Sequence, residues 1–167
     1  MSKILTPTLP FQTAIPGGIY DGKMIEVNGR IPYGADRIEI NLMTEFDLSA
    51  DRALHLGIRF DQHCVVRNHK QYDQWGPEER QGPFPFSFGR EFTMLIAAER
   101  TQYRIAVNNQ HCWDFGHRLP MDRVNSIAVR GFCDVHQIEF IDRPNPSTQT
   151  VHRVHRIRTR LPPVYNP

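Results

Sequence analysis

Apolar and polar residues alternate with a period of two along most of the chain. Ile38, Ile40 and Leu42 are separated by Glu39 and Asn41, and Leu54, Leu56, Ile58 and Phe60 by His55, Gly57 and Arg59. This is the pattern of strands buried on one face. Further runs of the same kind cover 23–31, 92–98, 102–107, 111–115, 126–130 and 135–140. No window of a dozen residues repeats apolar positions at three, four and seven behind a cap, so helices are not expected. The separators are turn formers: Pro16-Gly17-Gly18, Asn28-Gly29, Pro32-Tyr33-Gly34, Asn108-Asn109 and Gly131. Asn108-Asn109 lies between two alternating runs and should close a tight hairpin with left-handed dihedrals. Eight or more short strands at this spacing predict an all-β, antiparallel sandwich.

The pattern continues to about residue 140, where Asp142-Arg143-Pro144-Asn145-Pro146 brings two prolines that cannot join a central strand. The expected organisation is one domain over 1–140 and a C-terminal extension over 141–167. A net charge of +2 hides an asymmetry: residues 1–140 hold 15 basic and 17 acidic side chains, and residues 141–167 hold 5 and 1. The extension is therefore basic, and its stretch from Val151 to Arg160 suits either an edge strand or a solvated arm. Arg153, Arg156, Arg158 and Arg160 could meet acidic lipid, sulfated glycan or nucleic acid. The simpler reading is a solvated or edge-packed extension, and nucleic acid is not expected as a partner. His152 and His155, three apart, face opposite ways on a strand and cannot chelate together.

The length of 167 residues suits a single core, and 40% hydrophobic with 23% charged residues is an ordinary soluble composition. No apolar run approaches the roughly 18 residues of a membrane span. The N-terminal residues show no signal-peptide pattern, so classical secretion is not expected. Cys64, Cys112 and Cys133 are odd in number and widely spaced, with no Cys-x-x-Cys pair. They read as buried free thiols of a reducing compartment and not as a zinc site. Neither a metal nor a cofactor is expected, and synthesis in the cytosol is.

Period two places His55, Gly57 and Arg59 on one face of a strand, opposite Leu54, Leu56 and Ile58. Asn68 follows, and then Trp75-Gly76-Pro77-Glu78-Glu79-Arg80, with Glu78 and Arg80 in phase. This constellation resembles the galectins, the β-galactoside-binding lectins, whose signature reads His-x-Asn-Pro-Arg, then Asn, then Trp-Gly-x-Glu-x-Arg. Pro10-Phe11 with Pro16-Gly17-Gly18, the stretch Gly82-Pro83-Phe84-Pro85-Phe86, and the segment from Phe132 to Phe140 are similar to other parts of that family. The resemblance covers residues 8–140, and the Trp-to-Arg block at its distance from Asn68 is its specific part.

The resemblance implies a jelly-roll β-sandwich of two sheets, concanavalin A-like, with sugar on the concave sheet. It implies that Trp75 packs on the apolar face of galactose, a role an aromatic ring suits. His55 and Arg59 would then bind the axial 4-hydroxyl, Asn68 and Glu78 the 6-hydroxyl, and Arg80 with Glu78 the adjacent sugar. Arg59, Glu78 and Arg80 should form a network of charge-assisted hydrogen bonds. The expected partners are galactose-containing oligosaccharides of glycoproteins or glycolipids. Crosslinking them would require a homodimer, which in this family pairs edge strands, and export by a non-classical route is likewise a family expectation.

Two signature positions differ: Gly57 replaces Asn, and Ile58 replaces Pro. The stretch from Phe60 to Cys64 is also shorter than the family's usual loop. One neutral hydrogen bond is worth about 0.5–1.5 kcal/mol, so its loss weakens sugar binding without abolishing it. The space at Gly57 and the short loop point to altered specificity, toward other galactosides or a substituted sugar. The alternative is a domain of the same fold that has lost sugar binding and works through protein contacts. Catalysis is not expected. A glycosidase needs two carboxylates flanking the bond, one with a raised pKa, whereas arginine neighbours favour ionised Glu78 and Asp61 reads as a solvated loop acid.

Overall fold

The computed structural model describes residues 2–47 and 49–143, so the expectations for the extension beyond Arg143, its arginines and histidines included, lie outside the described residues. Within them the strands are β1 (Ser2–Leu5), β2 (Phe11–Ala14), β3 (Met24–Arg30), β4 (Arg37–Met43), β5 (Arg52–Arg59), β6 (Cys64–Gln71), β7 (Gln74–Trp75), β8 (Glu91–Ala98), β9 (Gln102–Val107), β10 (Gln110–Gly116), β11 (Ser126–Gly131) and β12 (Asp134–Ile141). A single 3-10 turn, Met121–Arg123, precedes β11. The strands form two six-stranded sheets, ordered β1-β12-β3-β8-β9-β10 and β2-β11-β4-β5-β6-β7, with every pairing antiparallel. No helix among the described residues is long and apolar enough to cross a membrane.

The alternation read in the sequence is what joins the sheets. Ile25 and Val27 of β3, Met94 and Ile96 of β8, and Ile105 and Val107 of β9 meet Ile40 and Leu42 of β4, Leu54, Leu56 and Ile58 of β5, and Val65 of β6 in one buried cluster. Each such side chain contributes about 1.5–3 kcal/mol by leaving water. Because β5 gives one face entirely to this core, its other face is free to carry His55, Gly57 and Arg59. The hairpin turn at Asn108 and Asn109 forms with φ of 52° and 64°, the left-handed pair a two-residue hairpin needs.

Four strands lie outside the alternating runs. β1 and β2 are four-residue strands, each paired along one side. β6 reads as irregular because Arg67 occupies a core-facing position, where its guanidinium stacks over Trp113 at 5.7 Å and donates to the Val65 carbonyl at 2.8 Å. β7 is two residues long and follows a tight turn at Tyr72 and Asp73, both with positive φ.

Asn28-Gly29 is a correction: it is not a turn but the middle of β3. Glycine is required there by close approach, since a Cβ on Gly29 would stand 2.5 Å from the Asp134 carbonyl oxygen, beside the register shift in β12. The cysteines are free, but only Cys133 is buried; Cys64 and Cys112 are half-buried. Lys23, completely buried, donates to the Pro16 carbonyl and to Asp142 Oδ1 at 2.6 Å, while the Tyr20 hydroxyl donates to the same carboxylate at 2.8 Å. This node ties the loop before β3 to the end of β12.

Candidate functional site

Strands β4, β5 and β6 lie side by side, and their residues out of phase with the core line a cavity of about 400 Å³ on the outer face of the second sheet. Arg37, Glu39, His55, Arg59, Asn68, Trp75 and Glu78 stand around it. Register sets the rows: Asn41 faces His55, Glu39 faces Gly57 and Arg37 faces Arg59 across β4 and β5, and His55 faces Asn68 across β5 and β6. Five of the six residues singled out in the sequence line the cavity. The sixth, Arg80, stands behind Glu78.

Trp75 projects from the short edge strand β7 with 47% of its surface exposed. Its position is held by an edge contact with His55, ring centroids 4.7 Å apart, and by the cations of Arg52 and Lys70 at 5.5 and 5.2 Å from the indole. Cations so placed draw on the ring's quadrupole and help fix its plane.

His55 is 4% exposed, and its Nδ1 lies 2.6 Å from Asn41 Oδ1. An amide oxygen only accepts, so Nδ1 carries the proton and Nε2 keeps a lone pair. Burial pushes the imidazole pKa down to about 4. The Glu39 carboxylate opposes that shift, and Arg52, Arg59 and Arg130 add to it. His55 is thus a neutral acceptor at physiological pH. Gly57 makes room for this arrangement, since a Cβ there would stand 3.0 Å from His55 Nε2.

Arg80 Nε donates to Glu78 Oε2 at 2.6 Å, and Arg59 donates to Glu78 Oε1 at 3.4 Å. Gln62, from the short turn after β5, accepts from Arg80 at 2.7 Å and from Arg59 at 3.3 Å and closes the ring. The Arg80 hydrogen bond, reinforced by the charges of Arg80 and Arg59 and only partly opposed by burial, holds the Glu78 carboxyl below the usual carboxylate range. A carboxylate so held accepts hydrogen bonds and is a poor proton donor.

Asn68 is more committed than its residue type suggests. Its Nδ2 donates to the Gly76 carbonyl at 2.8 Å, and its Oδ1 accepts from the His69 amide at 2.8 Å and from Arg118 at 2.9 Å. One amide N–H is left to face the cavity. Arg118 also donates to His69 Nδ1 at 3.0 Å and to Glu79 Oε2 at 2.8 Å, and it stacks on Phe115 at 4.7 Å. Gly76 lies beneath this cluster, where a Cβ would meet His69 Cε1 at 2.2 Å, so any larger residue would displace the His69 ring from Arg118.

Residues 10–140 match the family of galactoside-binding lectins. The chain belongs to the galectin family. It is 35% identical to galectin-4 of Rattus norvegicus over 136 residues, which is 81% of this chain and 42% of that protein. It is 35% identical to human galectin-7 over 123 residues, covering 74% of this chain and 90% of the relative. The chain thus spans about half the length of the first relatives it matches, 42% of rat galectin-4 and 52% of mouse galectin-6. Among solved structures, the galectin LEC-6 of Caenorhabditis elegans superposes with a TM-score of 0.75 at 26% identity, over 84% of this chain and 96% of that one. The family is one of carbohydrate-binding lectins, not enzymes.

In this galectin the residues that sequence reasoning overlooked are Glu39, Asn41, Gln62 and Arg118. Glu39 and Asn41 are in phase with the outer face of β4, but their closeness to His55 depends on cross-strand register. Arg118 is fifty positions from Asn68, in the loop after β10. Nothing local marks it. Among the described residues no group of three or more His, Cys, Asp or Glu side chains is placed to hold a metal ion.

Proposed function

We propose that this galectin binds β-galactoside-containing glycans non-covalently, with the sugar ring on Trp75. The observation that supports this best is the half-exposed indole bordering a polar cavity whose hydrogen-bonding groups are already fixed by the protein. Pre-fixed groups lose little entropy on binding, which a shallow site needs. Neutral His55 offers an acceptor and Arg59 a donor to the axial 4-hydroxyl. Asn68 gives one donor to the 6-hydroxyl and Glu78 an acceptor. Arg80 with Glu78 reaches the adjoining sugar. Gly57 supplies no hydrogen bond, so affinity for simple galactosides is modest and specificity is set by neighbouring strands. The sandwich, which runs through Ile141 of β12 and is tied at its end by Asp142, carries this activity, and the basic sequence beyond it is given no part in the sugar site. The partners are galactose-containing oligosaccharides of glycoproteins or glycolipids.

A glycan array of the purified protein beside Trp75→Ala, with lactose as competitor, tests the proposal. Galactose-containing glycans bound by the wild type, released by lactose and lost in the variant are the expected result. Folded protein with no signal above the variant would overturn it and leave a protein-contact module as the better account.

A further inference from the structure

The sheet order β4-β5-β6 carries information about how a galactose ring is oriented, given the proposed function on which this inference rests. If the 4-hydroxyl is held by the β5 row and the 6-hydroxyl lies toward β6 and Glu78, then C3, on the other side of C4 in the ring, faces β4. Three β4 side chains stand on that side: Arg37, Glu39 and Asn41. The Asn41 oxygen is taken by His55. Arg37 lies 3.8 Å from Asp61. Glu39 lies directly across from Gly57, where no side chain stands between it and the cavity.

Glu39 is held and half free. Arg130 Nε donates to its Oε2, while Oε1 lies 3.9 Å from His55 Nδ1 and accepts no hydrogen bond from the described residues. Burial opposes its charge, but the Arg130 bond and the surrounding cations outweigh that, so the carboxyl ionises more readily than usual. The result is a fixed anionic acceptor beside the place where the signature asparagine is missing.

We propose that Glu39 accepts a hydrogen bond from the galactose 3-hydroxyl and makes this galectin select galactose that carries no acidic group at O3. A hydrogen bond to a charged acceptor offsets the one that Gly57, without a side chain, does not make. The same negative charge rejects a sulfate or carboxylate substituent at that oxygen, which is specificity by repulsion as well as by attraction.

The test is calorimetric binding of lactose, 3′-deoxylactose and 3′-O-sulfolactose to the wild type, Glu39→Gln, Glu39→Ala and Arg130→Gln. Glu39→Gln keeps an acceptor for Arg130 and removes the charge, so the fold is retained. The wild type should prefer lactose over the sulfated sugar by about tenfold or more, and Glu39→Gln should narrow that ratio to about threefold or less. Glu39→Ala should weaken lactose about tenfold yet bind 3′-deoxylactose like the wild type. Arg130→Gln, which leaves the anion in place, should keep the preference for lactose. An unchanged ratio in Glu39→Gln, or equal wild-type binding of both sugars, would overturn the inference while leaving galactoside binding intact. A wild type that binds none of the three sugars would overturn both readings together.

Discussion

Lowering the pH should destabilise this galectin through one buried imidazole. His55 is neutral in the fold with a pKa of about 4, against 6.5 for an unperturbed histidine, because burial outweighs the attraction of Glu39. Between those values the unfolded chain takes up a proton that the folded chain refuses. Stability due to His55 is therefore complete above the unfolded pKa and declines as pH falls toward the folded one. The two pKa values make the loss about 2 kcal/mol between pH 7 and pH 5. Urea denaturation of the wild type and of His55→Gln at both pH values measures it, because groups common to both proteins cancel in the difference. Among these are His69, whose pKa burial and Arg118 also lower, and Glu78. The wild type should lose about 2 kcal/mol more than the variant over that interval. Equal losses would refute the claim that His55 is held neutral, and with it the assignment of Nε2 as an acceptor for sugar.

Replacing Arg118 by methionine puts an apolar side chain where the guanidinium lay over Phe115 and removes the donor to Asn68 and Glu79, so lactose affinity should fall about tenfold. Calorimetry checks this, and unchanged affinity would mean that Asn68 needs no buttress. Asp142→Ala strands the buried Lys23 ammonium with the Pro16 carbonyl, and should cost about 3 kcal/mol in urea denaturation. Asp142→Asn, which loses the charge but keeps an oxygen acceptor for Lys23, should cost less, and equal effects would mean that the acceptor contributes nothing beyond the charge.

Strands that face the core on one side were readable because period-two alternation and packing agree, as in β4, β5, β8 and β9. β6 was hidden by Arg67, whose core-facing guanidinium is accommodated by the Trp113 ring and a backbone carbonyl. The six site residues were readable as a constellation, since β5 holds His55 and Arg59 in phase and the Trp75 block follows Asn68 at fixed spacing. What supports them was not. Asn41 sets the His55 tautomer and Glu39 faces Gly57 only through register, and Arg118 reaches Asn68 across the fold. Such contacts arise from tertiary pairing, which local periodicity does not encode.

The central claim, galactose stacked on Trp75, is tested most directly by tryptophan emission during a lactose titration. Of the two tryptophans, Trp113 is 3% exposed and Trp75 47% exposed, so a ligand-induced change reports on Trp75. Lactose should shift the emission to shorter wavelength and saturate, sucrose should not, and Trp75→Phe should abolish the shift while keeping the Trp113 signal. A wild-type spectrum that does not change at millimolar lactose would contradict the account.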